Sequence, residues 1–420
     1  MLKKISYLLA ASVAAIGASV SYSQAGEVTV WAWDPNFNIA IMKEAAERYQ
    51  KSHPETTFNI VDFSQDDLKQ KLQVALASGA SGVLPDITLI EDYSAQRYLT
   101  SFPGAFEPLN GKIDHSAFAQ YKVSVMTVGD DIYGVPFDSG ASAMFYRSDY
   151  LADAGFSADD MKDITWDRFL EIAEAVKAKT GHAMMALDLG DADFISMLMQ
   201  SGGEWYVKED GSINVVGNKA LAAALETFKK LANSDAVLPA NDWADWVGKF
   251  TSGDAASVTT GVWIIGTVKS SADQAGKWGV AATPRLSIDG AANASNRGGS
   301  SWYVLESSEE KAEAIDFLKT ELVEDIGLYQ NILKERGAVG TLLAASEGEV
   351  YSSPDAFFGG EYIWKDISNW MSKIPAVNYG AYTNEFHDAI KSNLPAYLKG
   401  RIDVDQMLQA VERQAKGQIQ

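Results

Sequence analysis

The side chains that usually carry covalent or metal chemistry are few in this sequence and widely separated. Its four histidines match no H-E-x-x-H or similar metal-ligating spacing: His53, His115, His182 and His387. There is no cysteine, which excludes a cysteine-based zinc site and a disulfide framework. No G-x-S-x-G elbow, phosphate-binding G-x-x-x-x-G-K-[ST] loop or G-x-G-x-x-G turn after the first strand is found. The sequence therefore lacks the motifs for phosphate chemistry and for Ser-His hydrolysis. We expect no cofactor and no metal.

Carboxylates are the one catalytic group that the sequence supplies in quantity. With 56 acidic residues in the chain, a pair of carboxylates at the separation of about 5–9 Å that glycosidases use is always available. A secreted glycosidase therefore stays open as an alternative.

The first 25 residues predict a cleavable signal peptide. Lys3 and Lys4 precede an apolar, uncharged stretch at 5–20, and small residues at Ser23 and Ala25 place the cleavage after Ala25. The apolar stretch is shorter than the ~20 residues needed to cross a bilayer. Because no cysteine follows the leader to carry a lipid, we expect a freely diffusing protein of a Gram-negative periplasm.

Charge and length restrict the partners and the number of domains. The formal charge of −21 becomes −23 when the two leader lysines are lost, so the chain repels nucleic acid and anionic lipid. A hydrophobic content of 47% indicates a well-packed globular protein, without membrane insertion after the leader. The mature length exceeds what one core usually serves, so we expect two domains, in a monomer.

The beginning of the mature chain predicts strands alternating with helices. Strands at 27–33, 57–63 and 86–91 are separated by helices at about 37–51 and 66–78. This β-α-β-α-β order implies a parallel sheet with helices on both faces, whose ligands lie beyond the carboxyl ends of the strands. The candidate residues at those ends are Trp33, Asp34, Asn36, Ser64, Gln65, Glu91 and Asp92. For Trp33 the alternative is a core ring, and for Asp34 and Asn36 it is helix capping.

A second α/β unit follows. Short strands at 132–137 and 143–147 flank a turn of small residues that can cross between lobes. The remaining pattern predicts helices at 165–179, 193–200, 218–233 and 308–322, strands at 278–284 and 298–305, and a mostly helical chain after 324.

Eleven short phrases, in order along nearly all of the mature chain, resemble the extracytoplasmic solute-binding proteins of ABC importers, in the cluster that carries sugars. The phrases are Val28–Trp33, Leu84–Ile90, Tyr133–Gly140, Phe145–Asp149, Ala154–Gly155, Thr165–Phe169, Gly253–Ala256, Gly261–Trp263, Trp278–Pro284, Gly298–Gly299 and the 308–322 helix. None is specific alone, and their joint order and spacing carry the resemblance. The loop 336–340 departs from it, because the family often has a proline there.

The resemblance implies an α/β fold of two doubly wound lobes, periplasmic binding protein-like of type II, joined by a hinge with the ligand cleft between them. We place the three crossing segments near 137–140, 283–286 and 337–341. Lobe one is then 27–137 plus 286–338, and lobe two is 138–284 plus 339–420.

The resemblance also implies ligand contacts. Asp138 matches an acidic contact of the family, with a turn aspartate as the alternative, and Trp263 matches a stacking platform from lobe two. Gly298 and Gly299 match a glycine pair that lines the cleft. At the end of the third strand, Glu91 is favoured slightly over Asp92.

Other aromatic residues are weaker candidates. Trp302 alternates with Ser301, so only one of the two can face the cleft. Trp205 follows a glycine pair, as a ligand contact or a loop anchor. Trp243 and Trp246 follow helical spacing, which favours the core for at least one of them, and Trp243 is retained.

A sugar needs flat aromatics for its C–H face and hydrogen-bonding side chains for its hydroxyls. With the resemblance, this predicts a receptor that binds a neutral saccharide, a di- or oligosaccharide rather than a monosaccharide, and delivers it to an inner-membrane ABC permease without bond chemistry. Carboxylates at the cleft oppose an anionic ligand. A polyamine receptor, using cation–π and charge contacts, remains an alternative beside the glycosidase.

Overall fold

The computed structural model describes residues 26–419. The predicted signal peptide at 1–25 lies outside the described residues. Within them, no helix combines the length and the apolar character needed to cross a membrane.

The described strands, numbered in chain order, are Glu27–Trp33 (β1), Thr57–Phe63 (β2), Ile87–Glu91 (β3), Thr127–Val128 (β4), Asp131–Ile132 (β5), Gly134–Pro136 (β6), Ser142–Arg147 (β7), Ala183–Asp188 (β8), Val237–Ala240 (β9), Ala255–Gly261 (β10), Trp278–Ala282 (β11) and Ser300–Val304 (β12). The predicted strand at 132–137 is interrupted at Tyr133, so that only β6 joins the main sheet.

The described α-helices are Asn38–Tyr49 (α1), Gln65–Ser78 (α2), Asp92–Ser101 (α3), Gln120–Val125 (α4), Ser148–Asp153 (α5), Trp166–Thr180 (α6), Ala192–Ser201 (α7), Lys219–Ala232 (α8), Trp243–Thr251 (α9), Ile265–Lys269 (α10), Lys311–Lys319 (α11), Ile326–Arg336 (α12), Ile363–Met371 (α13), Thr383–Leu398 (α14) and Val404–Ile419 (α15). The predicted 308–322 helix ends in a π-helical turn at Thr320–Glu324.

Two five-stranded sheets form two α/β lobes. The first sheet has the order β2-β1-β3-β12-β6, in which β1 runs parallel to β2 and β3, and β12 is antiparallel to β3 and β6. The second has the order β11-β7-β10-β8-β9, with β10 parallel to β8 and antiparallel to β7. The predicted β-α-β-α-β order of 27–91 is confirmed.

Burial and capping explain the first lobe locally. Four consecutive residues of β3, Ile87–Ile90, are buried because β3 lies between β1 and β12 and is covered on both faces. Ser64 caps the N-terminus of helix α2, its Oγ accepting the Asp67 N–H at 3.1 Å, and Gly79 caps the C-terminus with a φ of +67°. Because β1 runs parallel to β2 and β3, the residues that follow these three strands lie at the same edge of the sheet.

The chain passes between the sheets at residues 137–141, after β6, and again between β11 and β12. Residues 286–295, predicted for lobe one, contact second-sheet elements: the Ala292 N–H donates to the Ser201 carbonyl and the Ser142 N–H to the Ser295 carbonyl, both at 2.8 Å. These contacts favour a passage nearer 296–299. The exact lobe boundaries stay a prediction.

A third strand-like connection joins residues near 340 to the first passage. Asp138 forms an antiparallel bridge with Gly340, and the Ser139 N–H donates to the Val339 carbonyl at 2.8 Å. The three passages therefore lie side by side. We call residues 137–141, 296–299 and 338–341 the first, second and third hinge segments.

Candidate functional site

The carboxyl ends of β1 and β3 form one wall of the candidate site. Trp33 is half-buried and lines a small hollow together with Lys69 and Glu91. Lys69 Nζ lies 2.7 Å from Glu91 Oε2, and both side chains are partly exposed. This wall therefore offers an indole ring beside a carboxylate and an ammonium group.

Four polar candidates on this wall make local contacts. The Asp34 carboxylate accepts the N–H groups of Asn36 and Phe37 at 3.0 and 3.1 Å, and Asp34 has a left-handed φ of +66°. Ser64 caps α2, and Gln65 is the first residue of that helix. The Asp34 contacts close a turn before α1, whose N-cap is Phe37 without a side-chain cap, so the helix-capping alternative predicted for Asp34 and Asn36 is not observed. Asn36 is exposed and accepts at its carbonyl a hydrogen bond from Arg336 at 3.0 Å.

Three tryptophans gather on the second lobe. The ring centroid of Trp243 lies 5.9 Å from that of Trp263 and 5.1 Å from that of Trp246. Two of the indoles are tied to backbone, Trp263 Nε1 to the Arg297 carbonyl at 2.9 Å and Trp246 Nε1 to the Ala186 carbonyl at 3.2 Å. We call Trp243, Trp246 and Trp263 the tryptophan cluster. Trp243 is 57% exposed, so the cluster is open to solvent.

The position of Trp263 explains the glycine two residues before it. Trp263 lies in a 3₁₀ turn, Val262–Ile264, directly after β10, and its ring folds back over Gly261. A Cβ at Gly261 would overlap the indole nitrogen and lie 2.6 Å from the Arg297 carbonyl. Only glycine leaves room for the ring at this strand end.

Charged groups lie beside the tryptophan cluster. Arg297 Nη2 is 2.8 Å from Asp191 Oδ2, and both side chains are 15% exposed. With Trp243, Trp246 and Asp188 they line a cavity of about 190 Å³. Burial raises the pKa of Asp191, against the opposing charge of Arg297. The pair presents donors and acceptors together, as a row of hydroxyls requires.

A second carboxylate at this cavity is paired with the C-terminal part of the chain. His387 Nδ1 lies 3.1 Å from Asp193 Oδ1, and its Nε2 lies 2.7 Å from the buried hydroxyl of Ser196. Burial works to raise the pKa of Asp193, but its hydrogen bond with His387 and the charge of that ring hold the pKa below its usual range. The three side chains resemble a hydrolytic triad, but Ser196 is fully buried and cannot meet a substrate.

The hinge segments form the floor. Asp138 is 6% exposed, its Oδ1 accepts the Ser300 N–H at 2.7 Å, and burial raises its pKa. Gly298 and Gly299 both have a left-handed φ, +84° and +91°. A Cβ on Gly298 would lie 3.4 Å from Trp263 Nε1, so the tryptophan cluster borders this floor.

The two acids at the end of β3 differ in environment. Glu91 is partly exposed on the wall, whereas Asp92 is 1% exposed and paired with the buried Lys122 at 2.6 Å. Ser301, also buried, donates its hydroxyl to Asp92 Oδ1 at 3.3 Å. Asp92 and Ser301 therefore lie beneath the floor, and only Glu91 is placed to touch a ligand.

Two tryptophan candidates lie in the core, which corrects the sequence prediction. Trp302 is fully buried against Phe137, 5.7 Å between ring centroids, because β12 is covered on both faces. Trp205 is 1% exposed, donates Nε1 to Thr383 Oγ1 at 3.0 Å and packs on Tyr379. Of the two predicted alternatives for Trp205, the loop anchor is the one observed.

Sequence reasoning missed four side chains of the site: Lys69, Asp191, Trp246 and Arg297. Asp191 follows the carboxyl end of β8 and caps α7, so the strand-end rule used for the first lobe could have found it. Arg297 directly precedes the glycine pair. The helical spacing of Trp243 and Trp246 favours the core for at least one of them, whereas in the structure Trp246 is half-buried and lines the cavity.

Comparison with known proteins places this geometry in a family. Residues 44–329 match the family described as bacterial extracellular solute-binding protein. A lactose-binding protein of Rhizobium radiobacter is 59% identical over 396 residues, which cover 94% of each chain. An arabinooligosaccharide-binding protein of Bacillus subtilis is 26% identical over 327 residues, 74% of this chain and 73% of that protein.

Solved structures agree on the architecture. The galacto-N-biose-/lacto-N-biose I-binding protein of Bifidobacterium longum superposes with a TM-score of 0.76 at 20% identity, covering 94% of this chain and 97% of that one. The sugar-binding protein MalE of Xanthomonas citri gives a TM-score of 0.77 at 16% identity, over 93% and 97% of the two chains. The predicted fold, two hinged α/β lobes of type II, is confirmed.

The match to the family model and the 59% identity over almost the whole chain also settle the functional class, a binding protein of an ABC importer rather than an enzyme. The chain belongs to the bacterial extracellular solute-binding protein family.

Proposed function

We propose that this protein is the receptor that captures a neutral galactosyl disaccharide of the lactose type between its lobes and delivers it to an ABC permease. The observation that carries the proposal is the tryptophan cluster, which offers adjoining apolar faces beside the Arg297–Asp191 pair. The lactose-binding relative at 59% identity supports the choice of sugar.

The number of contacts suits a disaccharide. Each stacked ring adds about 1 kcal/mol beyond its buried area, and each hydrogen bond to a charged group adds about 1.5–3 kcal/mol. Micromolar binding needs about 8 kcal/mol net of the association cost. One ring is insufficient. Two rings of the tryptophan cluster with three charged hydrogen bonds give about 6.5–11 kcal/mol before the association cost, and the apolar area covered on the rings adds to this sum, so they are the smallest set of contacts that suits micromolar binding.

Charge pairing supports a neutral ligand over a polyamine. Glu91 is paired with Lys69, and Asp191 with Arg297. A polyamine would have to displace these cations to use the carboxylates, whereas a hydroxyl can donate to the carboxylate and accept from its partner without separating the pair.

The proposed ligand-binding residues come from both lobes and the hinge. Trp243, Trp246 and Trp263 stack on the sugar rings. Asp191, Arg297, Asp138 and Glu91 hydrogen-bond its hydroxyls, with Gly298 in the floor and with Trp33, Asn36 and Gln65 at the rim. Closure bends the three hinge segments and brings the wall of the first lobe onto the sugar.

We assign the working form to the periplasm as a monomer, with residues 1–25 removed and the mature chain starting near Gly26. Mass spectrometry of the exported protein tests the start, and light scattering tests the monomer. A mature mass that includes the leader, or a stable dimer, would contradict this assignment.

Isothermal titration calorimetry tests the ligand. We expect lactose to bind with a stoichiometry of one, other galactosyl disaccharides to bind more weakly or equally, and spermidine to give no heat. Tight spermidine binding without any sugar heat would refute the saccharide assignment. The lactose recovered after incubation should be intact, since a steady release of galactose beyond one equivalent would identify a glycosidase.

A further inference from the structure

Lys122 is a buried charge that ligand contact does not explain. It lies on α4, is fully buried, and its Nζ lies 2.9 and 2.6 Å from the two oxygens of Asp92. Apolar side chains of similar volume often replace a buried ion pair without loss of stability. Stability of the fold therefore does not require a lysine at this position. The contacts around Lys122 must explain why a charged residue is present.

The ion pair lies directly beneath the second hinge segment. The Asp92 N–H donates to the Gly299 carbonyl at 3.1 Å. A Cβ on Gly299 would lie 2.8 Å from Asp92 Oδ2 and 2.9 Å from Lys122 Nζ. The hinge backbone is thus packed on the two charged groups themselves, without an intervening side chain.

Asp138 holds the same stretch from the first hinge segment. Its Oδ1 accepts the N–H of Ser300, and its backbone bridges to Gly340 of the third segment. Ser301, the next residue, donates to Asp92. Asp138 and Asp92 therefore accept hydrogen bonds from two neighbouring residues at the start of β12. All three hinge segments lie next to these two carboxylates.

The cluster contains two buried carboxylates and one buried cation. Burial raises the pKa of Asp92 to about 6 and also raises the pKa of Asp138, while the charge of Lys122 lowers both. The negative charge of Glu91, which is itself paired with Lys69, also raises the pKa of both carboxylates, but by less than burial does. The other titratable groups near the two carboxylates are tyrosines whose pKa burial raises, so they stay neutral: Tyr121, Tyr303, Tyr329 and Tyr379.

We propose that Lys122 is a positioning residue of the ligand site, which holds Asp92 as a fixed support for the second hinge segment and keeps Asp138 ionised to accept a ligand hydroxyl. This rests on the proposed function, in which Asp138 contacts the sugar. Without Lys122, two carboxylates would share a desolvated site and could not both remain ionised at neutral pH. Protonated Asp138 is a poorer acceptor for a sugar hydroxyl than the carboxylate.

The test measures the lactose dissociation constant from pH 5.5 to 9 for wild type, Lys122→Met and the double variant Asp92→Asn/Lys122→Met. We expect Lys122→Met to bind at least ~10-fold more weakly at pH 7 and to recover affinity toward pH 9, where both carboxylates ionise. The double variant removes both charges of the pair, so it remains testable if Lys122→Met does not fold. In the double variant Asp138 is the one carboxylate left in this desolvated site, without the charge of Lys122 that lowers its pKa, so the affinity of this variant should also rise with pH.

A purely structural lysine predicts another result. It would lower the melting temperature and reduce affinity by the same factor at every pH, and a flat profile in both variants would overturn the proposal. Asp138→Asn separates this failure from failure of the proposed function. If Asp138→Asn binds lactose as well as wild type does, the sugar contact itself is misassigned. If it binds weakly while the Lys122 profiles are flat, only the role of Lys122 is wrong.

Discussion

Replacement of Trp263 by alanine should weaken lactose binding by about 100-fold without unfolding the protein. Trp263 stands at the end of β10, where its ring borders both the tryptophan cluster and the glycine floor. A sugar stacked on one ring face covers roughly 80 Å² of apolar surface, worth about 2 kcal/mol at 25 cal/mol per Å². The ring adds about 1 kcal/mol. The total of about 3 kcal/mol corresponds to roughly two orders of magnitude in the dissociation constant.

The substitution also removes a hydrogen bond that is independent of the sugar. Trp263 Nε1 donates to the Arg297 carbonyl at 2.9 Å, which anchors the ring to the second hinge segment. Trp263→Phe keeps an aromatic face and loses only this bond, worth about 1 kcal/mol. We therefore expect a loss of about 5-fold for Trp263→Phe, so the two variants separate stacking from anchoring.

Isothermal titration with lactose measures both losses, and thermal unfolding monitors the fold. Tyr362→Ala is the matched control, because Tyr362 is 53% exposed and belongs to no part of the proposed site. Its affinity should equal that of wild type. Trp263→Ala with a native melting temperature and a dissociation constant within threefold of wild type would refute the stacking role of this ring.

Three further predictions concern the fold and the floor of the site. Trp302→Ala should destabilise the protein by about 3–5 kcal/mol, since Trp302 is fully buried in the core, and chemical denaturation that shows less than 1 kcal/mol would contradict the core assignment. Glu321→Gln should raise the melting temperature at pH 8 but not near pH 5: burial raises the pKa of Glu321 to about 7, so the folded state binds more protons than the unfolded state, and wild-type stability falls as pH rises from about 5 to 7. An equal effect at both pH values would exclude this linkage. Gly299→Ala should cost more stability than Gly79→Ala: both positions have a positive φ, but only at Gly299 would the Cβ meet Asp92, at 2.8 Å, whereas at Gly79 it meets open space. Equal melting temperatures for these two variants would show that the hinge yields to the methyl group.

Sequence patterns correctly predicted that Trp33 and Glu91 lie together at one sheet edge, whereas their contact with a ligand stays a prediction. Trp33 and Glu91 are the last residues of β1 and β3, and parallel pairing brings those ends to one edge. The strand-end rule could not separate Glu91 from Asp92. Asp92 is buried and Glu91 partly exposed because Asp92 pairs with Lys122 of α4. No sequence pattern near Lys122 predicts that it lies at the end of β3.

The tryptophans show the same limit. Trp302 and Trp263 both stand at plausible positions in glycine-rich phrases, yet one is covered by neighbouring strands and the other borders the floor. Helical spacing correctly grouped Trp243 with Trp246 on α9, but spacing cannot tell whether the shared face meets a core or a cleft.

The sequence by itself determined the family, the two α/β units and the exclusion of metal and nucleophile motifs, because these depend on local patterns and on the order of phrases along the chain. Only the tertiary structure decided which side chains meet. Arg297 and Asp191, 106 residues apart, form one ion pair at the cavity, and Asp138 and Ser300, 162 residues apart, join the first hinge segment to the start of β12. Such contacts arise where separate strand ends and crossings converge, and their geometry is set by packing across both lobes rather than by any stretch of sequence.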